Sequence, residues 1–388
     1  MKEESYQIII AGAGAAGLSL AMHLIDAGIN KEKHILLIDK SSKQDNDRTW
    51  CFWETGKGTF EECVIQQWDN VSFFSPHFSK RLKLLPYRYK MIRGIDFYRY
   101  CLNKISKAEN ITIINETIQE IKESGVVVTE HNKYSGEIIF NSAISLSKKD
   151  NKYHQLLQHF KGWYIETEED IFDHTTATLM DFTIEQKNEC RFMYELPVSK
   201  KKALIEFTLF SEKLLQEEEY EKEIGNYIEK KHPGLTYRIS EKEFGIIPMT
   251  DQPFPSYNGS KIINIGTIGG ATKASTGYTF QFIQKQCKLI VDCISKNKSF
   301  EKINILKPSR FHFYDRVFLR VLREKKEPAN KIFTDLFRKL PDALPFKFLA
   351  EETEFHEEIR VLSAFNKTLF ASAAIRQEIT KKEIKHAQ

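Results

Sequence analysis

Six residues near the N-terminus, Gly12-Ala13-Gly14-Ala15-Ala16-Gly17, leave the chain few folds to choose from. They follow the apolar run Tyr6 to Ala11 and open an amphipathic stretch, Ala15 to Ala27, that closes at Gly28. A buried strand, a glycine turn and a helix is the opening of a Rossmann βαβ unit. His34 to Asp39 supplies the second strand, and Asp39 falls 22 residues beyond Gly17. Each position has a physical task. Gly12 makes the tight turn, Gly14 lets backbone approach a pyrophosphate, and Gly17 lets helix and strand pack closely. Ala13 and Ala16 complete a phosphate cradle at the helix N-terminus, whose free N–H groups favour anions. Asp39 is expected to accept hydrogen bonds from ribose hydroxyls.

The rest of the chain separates the possible dinucleotides. Residues from about 163 to 210 are rich in β-formers and alternate in Arg191 to Leu196 and Lys202 to Thr208, which reads as an inserted antiparallel sheet. A later strand, Lys261 to Gly266, runs into a Gly/Thr-rich turn and then a helix from about Tyr278 to Lys296. That second turn, with Gly266, Thr276 and Gly277, could face a flavin ring or its ribityl chain, so the expected cofactor is FAD. Val71 to Leu85 has strand character, Asp96 to Lys107 is helical, Glu212 to Lys231 is a charged helix, and Phe311 onward is helical. The expected class is α/β. A Rossmann-type FAD-binding domain comes in three parts (1–70, 94–162 and 246–300). The substrate domain is an antiparallel sheet at 163–245 with a segment at 71–93, and 301–388 forms a helical C-terminal region.

Composition excludes more than it selects. The chain has 388 residues, and 57 basic against 53 acidic side chains leave a net charge of +4, too small and too dispersed for nucleic acid. Cys51, Cys63, Cys101, Cys190, Cys287 and Cys293 form no CxxC pair and lack a His cluster, so reduced thiols, a cytoplasmic location and no metal site are expected. The N-terminus lacks the pattern of a signal peptide. The longest apolar stretch, Tyr6 to Ile29, contains four glycines plus His23 and Asp26 and does not read as a membrane span. The 28 Phe residues ask for a large apolar pocket or a sticky surface. In the C-terminal region Arg316, Arg320 and Arg323 recur at helical spacing among Phe313, Val317, Phe318, Leu319 and Leu322, a pattern expected to bring that helix to a lipid surface.

Several segments, taken in order, resemble the flavin-dependent lycopene β-cyclases of bacterial type, related to plant lycopene cyclases. They are Gly12 to Leu20, Arg48 to Trp53, Tyr89 to Arg93, Leu179 to Phe182, Arg191 to Pro197, Leu204 to Thr208, Gly245 to Met249, Gly269 to Phe280, Tyr314 to Arg320 and Phe333 to Phe337. The resemblance implies closure of lycopene to γ-carotene and then β-carotene. The reaction has no net redox change, yet uses reduced FAD with NADPH as the reductant. It also implies lycopene and monocyclic carotene as ligands and a peripheral place on the membrane. The chemistry asks for an acid in a dry pocket and for π-faces near the developing cation.

Glu206 falls on the first acid of the family's Phe-Leu-Glu-Glu-Thr motif, while Phe207 stands at the second. Alternation puts Glu206 on the face of Leu204 and Thr208, opposite Ile205 and Phe207. Asp181 and Glu195 are further acidic candidates, Asp181 as the second catalytic residue. Arg93 is expected to pair with a flavin phosphate or with Asp39. Trp50 and Trp53 read as core or as a substrate platform. The competing reading is a redox flavoenzyme, a hydroxylase or reductase acting on an isoprenoid or aromatic substrate. Such hydroxylases usually carry Gly-Asp where this chain has Gly266-Thr267, which favours the cyclase over them.

Overall fold

The computed structural model describes residues 3–143, 150, 152–298, 300 and 309–386. In chain order it begins with β1 (Glu3–Ala11), α1 (Ala15–Asp26), β2 (Ile35–Ile38), β3 (Thr49–Thr55) and β4 (Val64–Trp68). Next come β5 (Asn70–Ser75), β6 (Phe78–Lys83), β7 (Tyr87–Arg93), α2 (Gly94–Ile105), β8 (Ile111–Ile114), β9 (Ile118–Lys122), β10 (Val126–Thr129) and β11 (Lys133–Asn141). The inserted region holds β12 (Gln155–Glu166), β13 (Thr176–Asp181), β14 (Cys190–Ser199), β15 (Lys202–Ser211), α3 (Glu217–Lys231) and β16 (Arg238–Thr250). The chain then returns through β17 (Tyr257–Asn258), β18 (Ile262–Asn264) and α4 (Phe280–Ser295). It ends in α5 (Ser309–Glu324), α6 (Ala329–Lys339), α7 (Leu344–Leu349), α8 (Phe355–Ala364) and α9 (Lys367–His386).

The N-terminal unit has the expected Rossmann form. β1 pairs in parallel with β11 on one side and β2 on the other, and β2 pairs in parallel with β8. The strands are short and apolar because helices cover the sheet; Ile9, Ile10, Leu36 and Leu37 are all fully buried. α1 and α4 pack together on this layer. A strand between Ile111 and Val126 that sequence reading missed, β9, pairs with β10 and extends the sheet.

The second sheet has seven strands in the order β16-β12-β15-β14-β13-β5-β6, with β5 joined to β13 by a parallel pairing; β7, from the same expected segment 71–93, lies in a separate three-stranded sheet. Its strand β12 begins at Gln155, ahead of the expected start at 163. Both faces are covered, and β14 is buried continuously from Cys190 to Pro197. One face lies under α3, where Ile205, Phe207 and Leu209 meet Tyr220, Ile224 and Ile228. The other face carries Tyr194, Leu196 and Leu204 and shares a core with the three-stranded sheet β3-β7-β4 and the C-terminal helices.

The C-terminal helices pack onto the inner face of the second sheet. Val317, Leu319 and Val321 of α5 are buried. Arg320 donates to Gln377 at 2.8 Å, and Arg323 lies 3.1 Å from His154. α5 therefore buries its apolar face, while Arg310 and Arg323 stay exposed. Among the described residues, no helix is long and apolar enough to cross a membrane.

Candidate functional site

A cavity of about 790 Å³ runs from the glycine turn of β1–α1 to the inner face of the seven-stranded sheet. Gly12, Gly14, Ala16, Asp39, Gly266 and Gly277 line it with Glu206. Six of the expected site residues from separate parts of the chain thus share one space with the acid.

The glycine end is built as the spacing requires. Gly12 has φ +102°, and a Cβ there would lie 2.6 Å from Ser142 Oγ. A Cβ on Gly17 would lie 1.8 Å from the Gly12 carbonyl oxygen, so Gly17 is a packing position and does not line the cavity. Gly14 is the opposite case: no protein atom lies within 4 Å of its Cβ direction, which leaves a cradle open to a ligand. As N-cap of α1 it makes no side-chain cap, leaving the first N–H groups of the helix free for an anion. Asp39 Oδ2 accepts the Ala13 N–H at 2.6 Å, and its Oδ1 accepts Ser41 N–H at 2.8 Å. Lys43 completes that carboxylate's contacts at 3.1 Å. Across the cavity, Gln158 Oε1 is buried without a donor, an acceptor suited to a ligand N–H.

The acid end is decided by strand register. Gly162 of β12 lies opposite Glu206 of β15 on one side and opposite Glu243 of β16 on the other. A Cβ at Gly162 would lie 2.8 Å from Leu204 Cδ1 and 3.0 Å from Glu243 Cγ. The missing side chain is what lets two carboxyl groups meet over β12. Glu206 and Glu243 are in hydrogen-bond contact. Burial and the adjacent Glu243 charge push the Glu206 carboxyl well above the usual carboxylate range, partly offset by the Thr208 hydroxyl, which donates to Oε1 at 2.7 Å. Glu243 Oε2 accepts from Thr49 Oγ1 at 2.7 Å, and Thr49 lies 2.9 Å from the Tyr164 hydroxyl. Glu243 Oε1 is buried, and no N–H or hydroxyl donor reaches it. Burial pushes the Glu243 carboxyl up as well, opposed by the Thr49 hydroxyl, and Glu206, raised further, is the member that holds a proton more readily.

Around Glu206 the cavity wall is Cys51, Tyr89, Tyr194, Leu204 and Tyr278 with Phe160. Burial pushes the Cys51 thiol and the Tyr89, Tyr194 and Tyr278 phenols up, keeping them neutral. The acid therefore faces uncharged aromatic and apolar groups, an arrangement that holds a proton ready and offers π-faces to a cation.

Other expected residues lie elsewhere. Asp181 is on the α3 side of the sheet, where it accepts from Tyr227 at 3.0 Å and Thr183 at 2.6 Å; a register shift in β13 turns it away from the cavity. Glu195 is on that side too, held below the usual carboxylate range, against its own burial, by His232 and Lys231. Arg93 pairs with Glu241 at 2.7 Å rather than with Asp39, as a structural ion pair, and does not line the cavity. Thr276 faces a second cavity, among the C-terminal helices. Trp53 is core, its Nε1 donating to the Phe346 carbonyl at 3.0 Å, whereas Trp50 lines the site. Phe207 contacts Tyr220 beneath α3, so the position after Glu206 does not face the cavity.

Sequence reading missed Glu243, Thr49, Gly162 and Gln158. Glu243 stands in Glu241-Lys242-Glu243, a run no different from a solvated strand face; only its register opposite Gly162 distinguishes it.

The family model described as lycopene cyclase protein matches residues 7–376. A search of the curated proteins finds no match. Among solved structures, a geranylgeranyl bacteriochlorophyll reductase-like protein from Thermoplasma acidophilum is 13% identical, with a TM-score of 0.65 over 93% of this chain and 99% of that one. A p-nitrophenol 4-monooxygenase from Pseudomonas putida is 12% identical, with a TM-score of 0.57 over 98% of this chain and 99% of that one. A tryptophan 5-halogenase gives 0.59 over 97% and 90%, at 11% identity. At such identities these likenesses establish the fold alone.

Proposed function

The chain belongs to the lycopene cyclase family, and from that premise we propose that it closes the acyclic ends of lycopene to β-ionone rings, by way of γ-carotene to β-carotene. The observation that carries the reading is the Glu206 carboxyl, set beside Glu243 across Gly162 and facing the aromatic wall of Tyr89, Tyr194 and Tyr278.

Glu206 donates its proton to the terminal trisubstituted alkene, leaving a tertiary cation. The neighbouring double bond attacks that cation and closes the six-membered ring, moving the positive charge to a ring carbon. Loss of an adjacent proton gives the ring alkene and returns a proton to the Glu206–Glu243 pair. One proton enters and one leaves, so no electrons are transferred overall. Tyr89, Tyr194 and Tyr278 exclude water, which would trap the cation, and present π-faces to it. Thr49 donates to Glu243 against the rise that burial imposes on it, so negative charge left by proton transfer is shared within a prepared network.

The cradle at Gly12, Gly14 and Ala16, with Asp39, Gly266, Gly277 and the Gln158 acceptor, fits FAD. Bound in its reduced form, with NADPH as reductant, FAD would supply negative charge beside the developing cation. In this reading the protein meets its substrate at a lipid surface as a peripheral cytoplasmic protein.

Expression in cells that accumulate lycopene tests the reading: the expected product is β-carotene, and Glu206→Gln is expected to retain flavin and lose cyclisation. Unchanged lycopene with flavin-loaded protein refutes it, and NADPH consumed stoichiometrically with product would favour a redox reaction instead.

A further inference from the structure

A second cavity, of about 450 Å³, lies among α5, α6, α7, α8 and α9. Protein interiors leave few voids larger than a water molecule, and this volume falls within the roughly 300–1,000 Å³ of small-molecule sites. Its wall includes Phe318, Phe333, Leu336, Leu362, Phe365 and Phe370. Polar groups are few: Asp315 Oδ1 meets Lys273 at 2.9 Å and Ser275 at 2.6 Å, Asp315 Oδ2 and Thr276 Oγ1 are buried without a hydrogen-bond partner, and Lys367 also lines the wall. The rest of the wall is apolar and aromatic, which suits the body of a hydrocarbon ligand.

The mouth has the same character. Ile359 and Leu362 line the cavity and are also 54% and 36% exposed, and Phe355, one turn earlier on α8, is 66% exposed. A ridge at helical spacing therefore presents apolar side chains outward at the opening. That suits a ligand arriving from lipid better than one arriving from water.

The cavity also stands back to back with the Glu206 site. Ser275 and Thr276 line the second cavity, while the next residues, Gly277 and Tyr278, line the first. One short turn separates the two spaces. A carotene whose end reaches Glu206 has most of its length still to place.

We propose that this helical cavity is a second hydrocarbon site, which receives the polyene from the lipid through the Ile359–Leu362 mouth and holds the part of the chain remote from the reacting end. The identity of the ligand rests on the cyclase reading; the existence of the site does not.

The test uses the full, flavin-loaded chain with phosphatidylcholine–phosphatidylglycerol vesicles carrying lycopene, read by the circular dichroism induced in the polyene and by photocrosslinking from p-benzoylphenylalanine at Ser363. A lycopene adduct at that position is expected. Ala374→Trp, which fills the cavity from α9, is expected to weaken lycopene binding at least about tenfold with flavin content unchanged. Glu206→Gln is expected to bind lycopene as the wild type does while making no product. Wild-type lycopene binding in Ala374→Trp overturns the proposal, as does an absent adduct, or a phospholipid adduct that lycopene does not displace. If Glu206→Gln still makes product, the acid assignment falls while the second site stands.

Discussion

Replacing Glu243 by Gln isolates the role of the carboxyl pair, because it removes one charge and keeps nearly the same shape. In the wild type, ionising Glu206 places a second negative charge against Glu243 in a buried setting. Two unit charges about 4 Å apart interact by about 4 kcal/mol at an effective dielectric constant of about 20. That repulsion adds to burial in holding the Glu206 carboxyl well above the usual range. The amide introduced by Glu243→Gln removes the repulsion and can donate an N–H to the Glu206 carboxylate, which favours ionisation further. Burial still raises the group, so its pKa falls without returning to the usual range. The active form is protonated Glu206, present below its pKa and lost as pH rises through it. The alkaline limb of cyclisation in Glu243→Gln is therefore expected to move to lower pH, with activity retained at acid pH. The assay is conversion of lycopene in vesicles across a pH series, quantified by chromatography, with flavin content as control. An unshifted alkaline limb in a flavin-loaded variant would refute the reasoning.

The glycine turn separates stability from cofactor binding. Gly17→Ala places a Cβ against the Gly12 carbonyl and is expected to lower the melting temperature and flavin content together, whereas Gly14→Ala meets no protein atom and should lose flavin affinity with apoprotein stability unchanged. Lys273 is buried between Asp315 and Glu351, 2.9 Å from each; Lys273→Met leaves two buried carboxyl groups without their cation and is expected to cost about 3–5 kcal/mol in denaturant unfolding. His159, enclosed by Tyr220 and Ser211, is pushed down by burial to about 4. The unfolded state, with an ordinary value of about 6.5, binds the proton first, so stability is expected to fall as pH drops from about 6.5 towards about 4. His159→Gln should flatten that part of a melting-temperature profile.

The N-terminal unit was legible because its constraints are local. A glycine turn, a helix start and an acid at fixed spacing encode a backbone path within one continuous stretch, and Gly12, Gly14, Gly17 and Asp39 stand where that path requires. Alternation also placed Glu206 with Leu204 and Thr208 and turned Phe207 away, since side-chain direction along a strand needs no knowledge of the neighbours. Burial of α5 was not legible: its basic residues find partners on the segment entering β12 and on α9, which no helical pattern reveals. The same holds for Asp181, which a register shift turns towards α3. The acid pair is the sharpest case. Residue type and spacing alone determined the glycine turn of a Rossmann unit and the face of the sheet from which one glutamate projects. Only the tertiary structure decided which second carboxyl meets it, because that depends on the pairing of two strands distant in sequence across the bare backbone of Gly162.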